Sequence, residues 1–335
     1  LFRSDADLSP ERRLVGNRGQ GLATYRELMR NMATKTKPDG GALMLILDRW
    51  INSVQQEVIR ETGLRLDDPH VPLAMEQKIA AVMASLNELV HGFDFAKLLT
   101  LYYKSYRTGD DETRASVLKW FRGEYNTKRD VRNDLGISIC ISDDDWYEYL
   151  KLFACFLTQA GYAGMMVLVD ELVNVYKITH AVTRQNNYEK LLTMYNDALQ
   201  GKSHHIGMIF CSTPQCMEDT NRGVFSYEAL RSRLAEGHFT ACGEHKDLLS
   251  PIIRLTPLKS EELLILTEKL AAIHAVLYAY TQIIQPSDLE DFLQVEFNRL
   301  GANTQITLRE IIRDFIELLD ILYQNPELNV KTLLG

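Results

Sequence analysis

The sequence predicts an α/β protein: a parallel sheet at the core, a helical insertion early in the chain, and an all-helical domain at its end. Three observations carry this. Met165–Val169 and His205–Thr213 are short, mainly apolar stretches of strand length that run into polar residues. Continuous apolar runs of this kind suit strands of a parallel sheet covered on both faces. From Ala42 to Leu118 the apolar residues instead recur at three- and four-residue spacing, and everything after Pro257 keeps that helical period.

The chain has 335 residues, enough for two domains or one domain with a lid, and 46% hydrophobic with 24% charged residues is the balance of a globular protein. A net charge of −8 gives no global footprint for nucleic acid, so any such contact must come from a local patch. No apolar run approaches the roughly 20 residues of a membrane span, and no signal peptide opens the chain. Five scattered cysteines point to reduced thiols and a cytoplasmic setting. Cys211, Cys216, His238, Cys242 and His245 fit no common zinc spacing.

Taken in order, Leu1–Leu8 is extended, and Ser9-Pro10 should start a helix as N-cap and first helical residue. Val15–Gly21 reads as a glycine-rich loop, without the Lys-Ser/Thr of a phosphate-binding loop. A helix follows over Leu22–Ala33, then a turn at Pro38–Gly41. Leu43, Ile46, Leu47, Trp50, Ile51 and Val54 mark one helix face, and further helices are expected over Leu73–His91 and Phe95–Tyr106. Residues 101–132 hold eight Lys/Arg against five Asp/Glu, interleaved with Tyr102, Tyr103, Tyr106, Trp120, Phe121 and Tyr125. That composition suits a nucleic-acid surface, and it suits equally an amphipathic helix pair with a solvated face. Asp143–Asp145 should cap the helix Trp146–Ala160 with negative charge.

Met165–Val169 runs directly into Asp170-Glu171. In open α/β sheets ligands bind at the carboxyl ends of the strands. In P-loop NTPases an aspartate in this position holds the magnesium ion on the nucleotide, and a following glutamate acts as general base. Short helices are expected around Leu172–Ile178 and over Tyr188–Leu199. Gly201-Lys202-Ser203 repeats the last letters of a phosphate-binding motif, but position 196 is Asn where the motif needs Gly. The second strand ends at Ser212-Thr213, 41 residues after Glu171. Neighbouring strands ending in Asp-Glu and in a polar residue form the Walker B and sensor 1 pair of AAA+ ATPases. Tyr227–Leu234 is a short helix carrying Arg231 and Arg233, either of which could stabilise a transferring phosphoryl group from a neighbouring subunit. Ile252–Leu255 reads as a third strand. Helices follow over Glu261–Tyr280 and beyond, with capping-box patterns at Ser287–Glu290 and Thr307–Glu310. Arg309 stands where a sensor 2 arginine would reach back to the nucleotide, or it forms with Arg313 a solvated face beside Glu310 and Glu317.

The segments Asp7–Arg12, Tyr25–Leu28, Asp170–Asn174, Tyr227–Leu234 and Arg309–Phe315 resemble the ATP-binding proteins of the BREX phage-defence systems, of the BrxC/BrxD type. Tyr227–Leu234 is the most specific of them. The resemblance covers essentially the whole chain. It implies a P-loop NTPase, AAA+-like core over residues 1–258, with 42–132 a mainly helical insertion and 259–335 a helical lid. It implies ATP and Mg2+ as ligands, other defence-system proteins and DNA as partners, a homo-oligomer with no membrane association, and a Walker A segment ahead of Leu1. On that reading Asp170 holds magnesium, Glu171 activates water, Ser212 or Thr213 senses the γ-phosphate, Arg231 or Arg233 acts in trans, and Arg309 contacts nucleotide. The alternative is a nucleotide-independent scaffold that uses the same fold to bind DNA or partner proteins.

Overall fold

The computed structural model describes residues 2–84, 91–235, 250–282, 284–299 and 307–334. The chain divides into two compact units, Leu1–Gly237 and His238–Gly335. The first is built on three parallel strands in the order β1 (Phe2–Asp7), β2 (Met165–Asp170), β3 (Ile206–Phe210). Ala6 pairs with Val169, Asp7 with Asp170, and Val169 with Phe210. The two apolar runs are therefore neighbours in one sheet, and their polar ends lie side by side.

The sheet departs from expectation in its cover. Ser4, Ala6, Met165, Val167 and Val169 are buried on one face, where helix α1 (Gln20–Arg30) packs and the Ser4 hydroxyl donates to the Leu28 carbonyl. On the opposite face Met166 and Leu168 are half-buried and Ile209 is 50% exposed. Among the described residues that face is only partly covered, and no strand pairs with the outer edge of β3.

Between β1 and β2 lie helices α2 (Leu43–Thr62), α3 (Val71–Ala84), α4 (Gly92–Thr108), α5 (Asp111–Phe121), α6 (Lys128–Leu135) and α7 (Trp146–Gln159). All six residues assigned to the α2 face from their spacing are buried. The expected end of α3 at His91 runs through residues 85–90, outside the described residues. Five of the six aromatics of the basic segment are core rather than surface: Tyr102, Tyr103, Trp120, Phe121 and Tyr125 are buried, and Tyr106 is half-buried. Phe95 meets Phe121 at 5.1 Å and Phe156 at 5.4 Å, and Trp120 meets Tyr149 at 5.4 Å. Rings locked edge-on in a core cannot stack on bases, so this segment's aromatic content is no argument for nucleic acid.

Ser9-Pro10 starts a turn and no helix. Ser9 N–H donates to the Arg12 carbonyl at 2.9 Å, Ser9 Oγ accepts from the Glu11 and Arg12 amides, and Arg12 Nε donates to Asp7 O at 2.7 Å. The serine satisfies the amides a cap would satisfy, but the arginine folds the segment back onto the end of β1. The Asp143–Asp145 run also works differently from its pattern. Asp145 stands at the N-cap of α7 but turns its carboxylate to the Ser142 amide and hydroxyl. Asp143 reaches across and accepts from the amides of Gly19 at 2.6 Å and Leu22 at 2.7 Å, capping α1.

After β2 come α8 (Val173–Tyr176) and α9 (Ala181–Leu199), and after β3 come α10 (Pro214–Glu218), a 3-10 turn at Val224–Ser226, and α11 (Glu228–Leu234). The expected strand Ile252–Leu255 has no regular structure; Ile253 is 71% and Leu255 92% exposed. Pro251 and Pro257 flank it, each removing a donor that a ladder would need.

In the second unit, helices Ser260–Leu277, Pro286–Arg299, Leu308–Gln324 and Val330–Leu334 enclose a core that includes Leu263, Phe292, Phe315, Leu319 and Leu322. The capping box at Thr307 and Glu310 forms as its pattern requires: Glu310 N–H donates to Thr307 Oγ1 at 3.3 Å, and Thr307 N–H to Glu310 Oε2 at 2.9 Å. The pattern at Ser287 gives way to Pro286 as first helical residue, with Gln285 N–H bonded to Asp288 at 2.9 Å.

Candidate functional site

The candidate site lies where the three strands end. The chain leaves β1 at Leu8, whose amide donates to Asp170 O at 3.1 Å. On the other side, Cys211 N–H donates to Val169 O at 2.8 Å, and Cys211 O accepts from Leu172 N–H at 3.1 Å. In an unbroken parallel ladder that second bond would come from residue 171. Glu171 is therefore an extra residue looped out between two ladder bonds, the signature of a β-bulge. Its backbone confirms the break: φ is +57°, the left-handed region that non-glycine residues rarely occupy. Holding such a residue there costs on the order of 1–3 kcal/mol, and conformations of that kind cluster at functional sites.

The amide freed from the ladder finds a new acceptor. Glu171 N–H donates to Asp170 Oδ1 at 2.7 Å. Both side chains are exposed, and among the described residues the Glu171 carboxylate has no hydrogen-bonding partner. Asp7 stands beside Asp170 in register, so two carboxylate-bearing residues share one row of the sheet edge. Cys211 is close enough that the negative charge of Asp170, after burial, helps raise its thiol pKa. The arrangement offers hard oxygen donors, the donor chemistry that suits magnesium, with the Arg12 guanidinium close by on the Asp7 carbonyl.

Ser212 and Thr213 follow Cys211 at the end of β3, both exposed. They are not equivalent. Thr213 caps α10, its Oγ1 accepting from Cys216 N–H at 3.3 Å. Ser212 caps nothing, but its hydroxyl bonds with the buried Cys216 thiol, partly offsetting the upward push of burial on that group. Arg231 and Arg233 lie on α11, already engaged locally: Arg231 pairs with Glu228 at 2.6 Å, and Arg233 donates to Ala229 O at 2.8 Å. Both pairings are at the surface, the first an exposed ion pair of the kind that contributes little and the second a bond to a backbone carbonyl, so either yields to a stronger anion. Arg309 belongs to the second unit, on the first turn of helix Leu308–Gln324, and is exposed.

Two glycine-rich stretches hold no phosphate cradle. Gly201-Lys202-Ser203 closes α9: Gly201 is left-handed, and the Lys202 and Ser203 amides donate to Asp197 O. It stands at the carboxyl end of a helix, whose partial charge is negative and repels phosphate. In the Val15–Gly21 loop the amides at the start of α1 are already taken by Asp143, and a side chain at Gly21 would meet the Trp146 indole at 2.7 Å. That glycine serves packing.

Sequence reasoning gave no role to two asparagines that tie this region together, although Asn174 closes one of the segments that carry the resemblance. Asn174 Nδ2 donates to Leu8 O at 2.8 Å, and its amide donates to Glu171 O at 2.8 Å. Asn187, fully buried on α9, accepts from the Leu14 and Val15 amides and donates to Val15 O and Thr183 O. A lone Asn in a helix carries no pattern, and only the partners identify it. Of the cysteines and histidines weighed for zinc, Cys211 is exposed and Cys216 buried, while His238, Cys242 and His245 lie outside the described residues.

The fold and this edge define an α/β protein, mostly helical, whose parallel sheet presents an acidic pair at the carboxyl end of its middle strand. Comparison with known families is specific. The chain belongs to the BREX system ATP-binding protein BrxC/D family, which it matches over residues 1–335. Neither the curated proteins nor the solved structures gave a match. Among the described residues no helix is long and apolar enough to cross a membrane.

Proposed function

We propose that the chain is the ATP-handling part of a BREX defence-system ATPase, coupling nucleotide state to assembly with partner defence proteins or to action on DNA. The observation that carries this is the bulge at Glu171, which exposes an unpaired carboxylate beside Asp170 at the end of the middle strand. Asp170 is the residue that would hold magnesium, directly or through water, and Glu171 the base that would take a proton from the attacking water. Bound magnesium would neutralise charge developing on the phosphate oxygens. Ser212 or Thr213 would sense the γ-phosphate, Ser212 exchanging its bond with the Cys216 thiol and Thr213 its cap on the Cys216 amide. Arg231 or Arg233 would act from a neighbouring copy in a homo-oligomer, exchanging its local partner for phosphate, and Arg309 would reach the nucleotide from a lid. On this reading residues 1–258 are a P-loop, AAA+-like core and 259–335 the lid. Among the described residues no strand pairs with the outer edge of β3, which leaves that edge open to a further strand.

The test is Glu171→Gln in the full-length protein as its gene encodes it. ATP turnover should fall about 100-fold or more, the range of a lost general base, while calorimetry still shows Mg-ATP binding. Unchanged turnover would remove Glu171 from the role.

A second reading, a nucleotide-independent scaffold, is favoured by one observation: no phosphate cradle occurs among the described residues. It requires that calorimetry of the full-length protein detect no saturable Mg-ATP binding.

A further inference from the structure

The structure assigns Asn174 as the positioning residue of this edge: it holds Glu171 in its looped-out, left-handed conformation by tying the turn after β2 to the end of β1. The inference rests on the ATPase reading for its catalytic consequence, though not for its geometry. A bulge residue at φ +57° is not self-sustaining, since a glutamate gains nothing from that backbone region. Beside the Leu172 N–H to Cys211 O bond that ties it to β3, three more bonds hold the turn. Glu171 N–H is taken by Asp170 Oδ1 at 2.7 Å, Glu171 O accepts the Asn174 amide at 2.8 Å, and Asn174 Nδ2 donates to Leu8 O at 2.8 Å.

The first two bonds lie within the turn and move with it. The third leaves it toward β1, as the Leu172 bond leaves it toward β3, and it reaches a carbonyl 166 residues away in sequence. Leu8 is itself fixed, because its amide donates to Asp170 O at 3.1 Å and its side chain is buried. Asn174, half-buried, thus closes a ring running Leu8, Asp170, Glu171, Asn174 and back to Leu8. With the ring closed, the Glu171 carboxylate has one backbone from which to project. With it open, the turn can relax toward a regular ladder, in which residue 171 would donate to Cys211 O and present its side chain differently.

The experiment uses the full-length protein, comparing wild type with Asn174→Ala and Asn174→Asp. The second variant keeps size and removes the Nδ2 donor, so it serves if the alanine variant fails to fold. Hydrogen exchange without nucleotide is read first. The amides of Leu8 and of residues 171–175 should exchange about 10-fold faster, with the helix Leu308–Gln324 unchanged. In turnover assays kcat should fall about 10- to 100-fold, with KM for Mg-ATP within about 3-fold, the pattern of a misplaced catalytic group. Unchanged exchange at these amides would overturn the assignment. So would acceleration spread over the whole first unit, which marks a merely structural residue, or unchanged kcat in a protein that Glu171→Gln inactivates. If Glu171→Gln leaves turnover intact, the ATPase reading fails, and the exchange result alone decides whether Asn174 holds the turn.

Discussion

At the scale of single residues, Glu171 shows a conflict between comfort and use. A strand residue prefers an extended backbone, and glutamate pays a penalty at positive φ that glycine does not. Glu171→Gly should therefore leave the chain as stable or raise stability by up to about 1 kcal/mol, as the relief of left-handed strain outweighs the added freedom of the unfolded chain. On the proposed ATPase reading the same change should abolish turnover. Urea denaturation set beside an ATPase assay checks the pair of outcomes, and a loss of stability on Glu171→Gly would deny the strain. The acidic pair itself was legible in the sequence, because an apolar run stopping at two carboxylates is a local pattern. The bulge was not: it exists only in where Cys211 sends its two backbone bonds, and Cys211 lies 40 positions further along.

At the scale of elements, the loop between β1 and α1 is held by side chains from elsewhere. Asn187 is buried with four hydrogen bonds, and Asp143 caps the start of α1. Asn187→Ala would strand the Leu14 and Val15 amides away from water and should cost about 2–4 kcal/mol, measured as a shift in denaturation midpoint; an effect below about 1 kcal/mol would mean water replaces the amide. Helices were read well wherever their period was strong, as in α2 and the Leu308–Gln324 helix, because burial of one face is written into spacing. Ends and caps were read less well. Asp143 looked like the cap of the helix next to it in sequence and proved to cap one 121 residues away. Ile252–Leu255 had strand composition, yet prolines on either side leave it without a ladder. Composition proposes a state, and backbone donors decide it.

At the scale of the whole molecule, net charge and surface chemistry bear on what the protein can meet. The formal charge of −8 opposes DNA, and the buried aromatics of residues 101–132 offer it no stacking platform. Lys128 and Arg129 remain exposed at the start of α6. If DNA is contacted through them, Lys128→Glu with Arg129→Glu should weaken binding uniformly across sequences and flatten its salt dependence by about two phosphates. A fluorescence titration at several salt concentrations reads both, and unaltered binding would clear this patch. The register of the sheet has a consequence for how the protein is made. Phe2 pairs with Met165, and every helix from α1 to α7 lies in sequence between them. At roughly 5–20 residues per second, β1 leaves the ribosome some ten to thirty seconds before its partner exists. The helices between can close on local contacts in that time, so the aromatic core is available to form first. The sheet edge bearing Asp170 would then be among the last parts of the first unit assembled during synthesis, leaving a nascent chain competent to fold long before it is competent to act.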